Sequence, residues 1–416
     1  MLDMKFIREN EKTISENCEN RGVQVNVGVL ITLDEERRSL LCRAEEKRAQ
    51  RKKKSKGKPT EEEIANLKNL GQEIKDLEDS QKEIEERFLE LLCKIPNLTH
   101  PDVLIGEEGE GKEVERVKEP TAFSFQPKNH IELMEKLDWI DFERGAKVAG
   151  AKFYFSKNDL VRLNLALINY GIDVATKHGY TLMETPDLAK NEILKGIGFN
   201  PKGKGTNIYS VEGTNLSLIG TSEITVGGYH LNEVLDLSSG PLKYISLSHC
   251  YRTEAGAHGK ESKGLYRVHQ FTKLEMFVFC KPEDSERLHE EVLQIEQEIC
   301  NGLGFPYTVV DIPTKDLGGP AYRKYDIEAW MVSKGESGGY GEITSCSNCT
   351  DYQSRRLNIR YKNENGKLQF VHTLNGTAIV TSRFPIAIVE NFQDENGEIK
   401  IPEVLSPYFF YNQKNN

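Results

Sequence analysis

The 416-residue sequence predicts an α+β fold in two parts: an N-terminal antiparallel two-helix coiled-coil arm, and a larger domain with a mainly antiparallel sheet flanked by helices. Three observations predict it. Apolar residues between positions 30 and 92 recur three and four apart, the period of a helix seam. From about position 120 onward, short alternating runs rich in Phe, Tyr and Val are separated by Gly, Asn and Lys, which suits sequential strands joined by short loops. A stretch rich in Pro, Gly and charge lies between the two regions.

Composition sets outer limits. At 416 residues two domains are expected, and 38% hydrophobic with 8% aromatic residues gives enough apolar material to exclude a disordered chain. The first ten residues, MLDMKFIREN, carry scattered charges and no apolar run, and no segment approaches membrane-spanning length, so the expected location is the cytoplasm. Eight cysteines, at 18, 42, 93, 250, 280, 300, 346 and 349, are spread too thinly for a disulfide framework. A net charge of -10 argues against indiscriminate nucleic-acid binding, which depends on neutralising phosphates, but allows a local basic grip. Arg51, Lys52, Lys53, Lys54, Lys56 and Lys58 form such a cluster.

In chain order, the first helix offers Leu30, Leu33, Leu40 and Ala44. Gly57 and Pro59 break the period, and Thr60 with Glu63 forms a capping box that starts the second helix. Its seam is Leu67, Leu70, Ile74, Leu77, Ile84, Phe88 and Leu91, with Gln81 the exception. Folding back at the Gly-Pro turn makes a hairpin, about 30–93, whose far end carries the basic cluster. By pattern alone the favoured reading is a plain dimerisation coiled coil with a solvated charge run. The N-terminal domain is placed at 1–105, a linker containing Gly106, Gly109 and Gly111 at 106–120, and the second domain at 121–416.

In the second domain Leu160, Leu163, Leu167, Tyr170 and Val174 predict a helix closed by Gly179, and Leu288, Val292, Ile295 and Ile299 another closed by Gly302 or Gly304. Strands are expected at 244–253, 269–279, 326–332, 342–346 and 378–381. In the second of these, Phe271, Lys273, Glu275 and Phe277 share one face, with Phe271 and Glu275 about 13 Å apart by strand rise. That spacing suits an aromatic base at one end of a ligand and an ammonium at the other. Arg252, just upstream, can fork onto a phosphate or carboxylate, and Arg267 supplies a second cation.

These segments resemble a known family. Tyr251-Arg252-Thr253-Glu254, a loop, then Arg267 to Glu275 resembles the second signature motif of class II aminoacyl-tRNA synthetases in its seryl form. Thr221-Ser222-Glu223 is similar to the serine-binding Thr-x-Glu loop of that family. Gly341 to Ser347, followed by Gln353 to Arg356, is similar to its nucleotide and metal segment, and Asn375 to Arg383 to its motif 3. The last reads Gly-Thr-Ala-Ile-Val-Thr-Ser-Arg, bulkier and more β-branched than glycine-rich versions. His178 to Pro186 is similar to motif 1, the element that builds the family's dimer interface.

The resemblance implies a class II synthetase catalytic domain and a serine–tRNA ligase. ATP would activate L-serine to seryl-adenylate and pyrophosphate, and serine would pass to the 3′ end of tRNA(Ser), with tRNA(Sec) a second candidate. It implies Arg252, Glu275 and Arg383 as catalytic residues. Serine would be held by Thr221, Ser222, Glu223, Arg252, Glu275 and Thr377. ATP would be held by Arg252, Thr253, Glu254, Val268, Phe271, Glu342, Ile343, Thr344, Ser345 and Arg383, with Mg²⁺ on Glu342 and Ser345. The basic cluster would grip tRNA, and the state would be a homodimer. Two other readings stand beside it: a paralogue that activates a small amino acid for a non-tRNA acceptor, and a catalytically inactive regulatory paralogue. Cys346 and Cys349 form a lone Cys-x-x-Cys without the second pair that a structural zinc site requires.

Overall fold

A computed structural model of the chain describes residues 1–54, 60–200, 207–255 and 264–409, which divide between two compact units, Met1–Leu98 and Thr99–Asn416. The first contains α1 (Met4–Glu9), α2 (Glu11–Asn20), α3 (Val27–Lys54) and α4 (Glu61–Lys94). Ion pairs Arg37–Glu85 at 3.3 Å and Lys47–Glu73 at 2.6 Å show that α3 and α4 run antiparallel. Every expected seam position on α4, Gln81 included, is buried or half-buried. The capping box is present: Thr60 Oγ1 accepts from Glu63 N at 3.3 Å, and Glu63 Oε2 accepts from Thr60 N at 2.7 Å. At the base Ile7, Ile14, Leu30, Phe88 and Leu92 form a core, beside which the buried Asp34 is held by Arg8 and Arg37. The Gly57–Pro59 turn, Lys56 and Lys58 lie outside the described residues.

The second unit is built on β1 (Lys112–Val117), α5 (His130–Lys136), α6 (Asn158–Lys177), β2 (Thr181–Glu184), α7 (Glu223–Tyr229), β3 (Leu242–Tyr251), β4 (Gln270–Cys280), α8 (Ser285–Leu303), β5 (Tyr307–Asp311), β6 (Arg323–Met331), β7 (Gly339–Asn348), α9 (Tyr352–Leu357), β8 (His372–Val380) and α10 (Phe384–Asn391). Eight strands form one sheet in the order β1-β5-β6-β7-β8-β4-β3-β2, antiparallel except for the parallel pair β2 and β3. The expected strands are therefore present, with ends moved by a few residues; β8 begins at His372, six residues before the expected start. Residues 112–117, expected within the linker, instead form the edge strand β1. Pairing with β5 gives this exposed, charged segment backbone partners that its composition does not advertise.

Alternation along β4 separates two environments. Leu274, Met276, Val278 and Cys280 enter the main core, where α6 contributes Leu163 and Leu167 and α8 contributes Leu288, Val292 and Ile299. Phe277 and Phe279 enter a smaller core with Ile197, Ile224 and Leu357. Phe271, Lys273 and Glu275 lie on that second face, further along the strand. The helix α8 ends at Gly304, whose φ of +83° supplies the left-handed cap, so of the two expected glycines it is the later one that closes the helix. No helix among the described residues is long and apolar enough to cross a membrane.

Candidate active site

Strand β4 supplies the floor of a polar cavity of about 360 Å³. Two irregularities make its walls. In β7, Ile327 pairs with Thr344 but Glu328 pairs with Glu342, leaving Ile343 as an extra residue. In β8, Thr377 pairs with Glu275 and Ile379 with Leu274, leaving Ala378 extra. Each bulge shifts the alternation by one. Glu342 therefore faces the cavity together with Ser345 and Ser347, and Asn375 and Thr377 face it together with Val380 and Ser382. The β-branched wording of the motif 3 segment thus accommodates a bulge at Ala378.

Of the residues expected in the site, Thr221, Glu223, Arg252, Glu254, Val268, Phe271, Glu275, Glu342, Ile343, Ser345, Thr377 and Arg383 line this one cavity. Three do not. The Ser222 hydroxyl is turned away and bonded to Ser246 Oγ at 2.7 Å. Thr344 sits on the far side of the bulged strand and donates to Glu296 Oε2 at 2.8 Å. Thr253 is absent from the wall, its backbone N–H donating to Asn207 O at 3.2 Å. Lys273, Tyr266, Asn207, Ser347, Asn375 and Ser382 join the wall without having been assigned a role. Period-two alternation from Glu275 points to Lys273; Asn207 carries no local signal, since tertiary packing alone brings its segment here.

Opposite charges are paired across the cavity. Lys273 Nζ lies 2.6 Å from Glu275 Oε2, which also accepts from Thr377 Oγ1 at 3.3 Å. Arg383 contacts Glu342 Oε1 at 2.8 Å, and its guanidinium lies 4.9 Å from the Tyr266 ring centroid. Arg267 contacts Glu254 at 3.0 Å. The Glu254 backbone has φ +50°, a left-handed conformation costly for glutamate and tolerated where surrounding contacts impose it. The Arg252 guanidinium lies 5.2 Å from the Phe271 ring centroid, and its Nε donates to Gly220 O at 3.2 Å. At the other end Glu223 accepts from Gln353 Nε2 at 2.7 Å and Asn375 Nδ2 at 3.2 Å.

These surroundings set the carboxyls apart. Burial, reinforced by repulsion from Glu275, pushes Glu223 up to about 7. Burial also raises Glu275, with Lys273 pulling it back. For Glu342 burial is outweighed by Arg383, Lys324 and Arg252, which hold it well below the usual carboxylate range. The cavity thus offers arginines and an aromatic face at one end and a cluster of carboxyls able to receive a cation at the other. Cys346 is buried in the main core, whereas Cys349 Sγ lies 3.7 Å from Asn375 Nδ2.

Known proteins resemble this chain in sequence and in fold. Residues 208–392 match the tRNA synthetase class II core domain (G, H, P, S and T), and residues 1–99 match the seryl-tRNA synthetase N-terminal domain. The chain is 51% identical to the serine–tRNA ligase of Treponema denticola, with 98% of each chain covered. It is 48% identical to that of Rubrobacter xylanophilus, covering 98% of this chain and 97% of the relative. A crystal structure of seryl-tRNA synthetase from Pyrococcus horikoshii complexed with ATP superposes with a TM-score of 0.89 at 37% identity, covering 98% of each chain. The cytoplasmic serine–tRNA ligase of Naegleria fowleri in complex with AMP gives 0.84 at 36% identity, covering 98% and 97%.

The buried Lys273–Glu275 pair makes a stability prediction. Lys273→Met strands a carboxylate and should cost about 3–5 kcal/mol at neutral pH. Without the lysine, the raised Glu275 rises further, so the deficit should shrink as pH falls and the carboxyl protonates. Denaturant unfolding between pH 5 and 8 measures this, and a deficit independent of pH would refute the electrostatic account.

Proposed function

The chain belongs to the seryl-tRNA synthetase family of class II aminoacyl-tRNA synthetases, and from that premise we propose how its residues divide the work. The reaction joins L-serine to tRNA(Ser) at the expense of ATP. The full-length kinship, at about half identity, disfavours the two paralogue readings. The observation that carries the assignment of roles is the convergence of Arg252, Phe271, Glu275, Glu342, Thr377 and Arg383 on one cavity.

In the first step a serine carboxylate oxygen forms a bond to the α-phosphorus while the bond to the β-phosphate oxygen breaks, releasing pyrophosphate. Two anions must approach, so the site supplies positive charge and fixed geometry and no nucleophile of its own. Arg252 lies beside Phe271, so with adenine on that ring its guanidinium meets the α-phosphate and the serine carboxylate together. Glu254 and Val268 border the nucleotide. Arg383, tied to Glu342 and stacked by Tyr266, faces the departing pyrophosphate. In the second step the terminal ribose hydroxyl of tRNA attacks the acyl carbon and AMP leaves.

Mg²⁺ suits the phosphate end. The bulge at Ile343 brings the Glu342 carboxylate and the Ser345 hydroxyl to one face, an oxygen donor set of the kind that shares a hard cation with substrate phosphates. Bound there, the ion would neutralise charge on the triphosphate. At the other end Glu223 meets the serine ammonium, and Thr377 with Glu275 meets the hydroxyl. A polar pair left unsatisfied by alanine discriminates strongly against it.

Partners follow from the surfaces. The first unit carries Arg51, Lys52, Lys53 and Lys54, all exposed at the end of α3, and we assign tRNA contact to this tip. We assign the chemistry to the second unit. The edge strand β2 exposes Leu182, and the outer face of α6 exposes Val161 and Leu165, an apolar surface that a second copy would cover in a homodimer. All eight cysteines are free thiols, which suits a reducing cytoplasm.

Arg252→Ala should reduce serine-dependent ATP–pyrophosphate exchange by about a hundredfold or more without changing the unfolding midpoint; near-normal exchange removes Arg252 from the mechanism. Docking an ammonium on Glu223 lowers a carboxyl that stands at about 7 in the free protein. Serine binding should therefore release a proton near neutrality and tighten as pH rises through that value. Calorimetry in buffers of differing ionisation enthalpy detects the release, and its absence detaches Glu223 from the ammonium. Replacing Arg51, Lys52, Lys53 and Lys54 by alanine should weaken tRNA binding and flatten its salt dependence while leaving exchange intact; equal loss of both activities contradicts a tip devoted to tRNA.

A further inference from the structure

The main core holds a carboxyl that neither step uses. Glu296, on α8, is fully buried. It stands where the ladder between β7 and β8 stops: Cys346 pairs with Gly376, and beyond that position the two strands separate. One carboxyl oxygen, Oε2, accepts from Thr344 Oγ1 of β7 at 2.8 Å. The other, Oε1, lies on the β8 side, 2.9 Å from where a Cβ on Gly376 would stand, so glycine there makes room for it. Oε1 itself has no hydrogen-bond partner and meets β8 by lying against Gly376, the residue before Thr377. Where two strands part, backbone and side-chain polar groups lose their ladder partners and need others. Aliphatic neighbours such as Val292 offer none.

We propose that Glu296 is a positioning residue that spans the gap between β7 and β8 and thereby sets Thr377 against Glu275 at the serine end of the cavity. It touches no substrate; it works from behind the sheet, through its hydrogen bond with Thr344 on β7 and its contact at Gly376 on β8. Burial pushes this carboxyl far above the ordinary range, so a neutral amide of the same shape should replace it. The inference rests on the serine-activating role of this site, and wild-type exchange tests that role separately.

The experiment is steady-state exchange with Glu296→Leu, Glu296→Gln and Thr344→Val beside the wild type, with thermal unfolding of each. Glu296→Leu should keep or raise the unfolding midpoint, because leucine suits the apolar surroundings, yet raise the serine KM at least tenfold with the ATP KM within twofold. Glu296→Gln should restore the serine KM to within threefold. Thr344→Val, which removes only the hydroxyl, should share the serine defect, and should decide the matter if the leucine variant does not fold. A serine KM within twofold of wild type in a folded Glu296→Leu or in Thr344→Val overturns the proposal, as does a Glu296→Gln as impaired as the leucine variant. Absent exchange in the wild type would instead overturn the serine-activating reading.

Discussion

The catalytic unit depends on two neighbouring strands that stay apart. β7 is 10 residues long and β8 is 9, yet they share only three paired positions, Cys346 to Asn348 with Leu374 to Gly376. Separation opens the cavity and creates a cost, because strand polar groups behind the gap must find other partners in an apolar core. The two bulges and the carboxyl of Glu296 all lie at this separation.

The bulges also solve a geometric problem. A nucleotide with its phosphates and an amino acid need polar side chains on one face over a longer stretch than strict alternation gives. One extra residue in each strand re-aims the next side chain, so Glu342 joins Ser345 and Thr377 joins Val380 and Ser382. The resulting wall is preorganised by its own ion pairs, Lys273 with Glu275 and Arg383 with Glu342. Such pairs add little net stability once desolvation is counted. Their value is that charge stands in place before substrate arrives, so little reorganisation is needed during reaction.

The helical unit answers to a different constraint. Its core is concentrated at the base, around Ile7, Leu30, Phe88 and Leu92, while further out only Ala44, Leu70 and Ile74 are buried among the described residues. A two-helix hairpin cannot enclose more than a narrow seam. Ion pairs such as Arg48 with Glu78 flank that seam and keep the helices in register. The tip can therefore be strongly basic, because no core there needs protecting from charge.

Much of this was legible in the chain. Helical period marked both long helices of the arm, and the capping box at Thr60 marked where the second begins. Alternation marked β4 and placed Lys273 beside Glu275, although the lysine was not assigned to the site. Strand β1 was illegible because its partner, β5, lies nearly two hundred residues away and its own residues are charged and exposed. The side chains of Ser222 and Thr344 face away from the cavity for a related reason: neighbouring residues in a motif share sequence but face opposite ways. The sequence by itself determined which side chains are candidates for the chemistry and which elements bear them, since period and spacing are local properties of a chain. Only tertiary structure decided which of them look into the same cavity. A bulge exists by reference to the partner strand, and no strand carries its partner's register within itself.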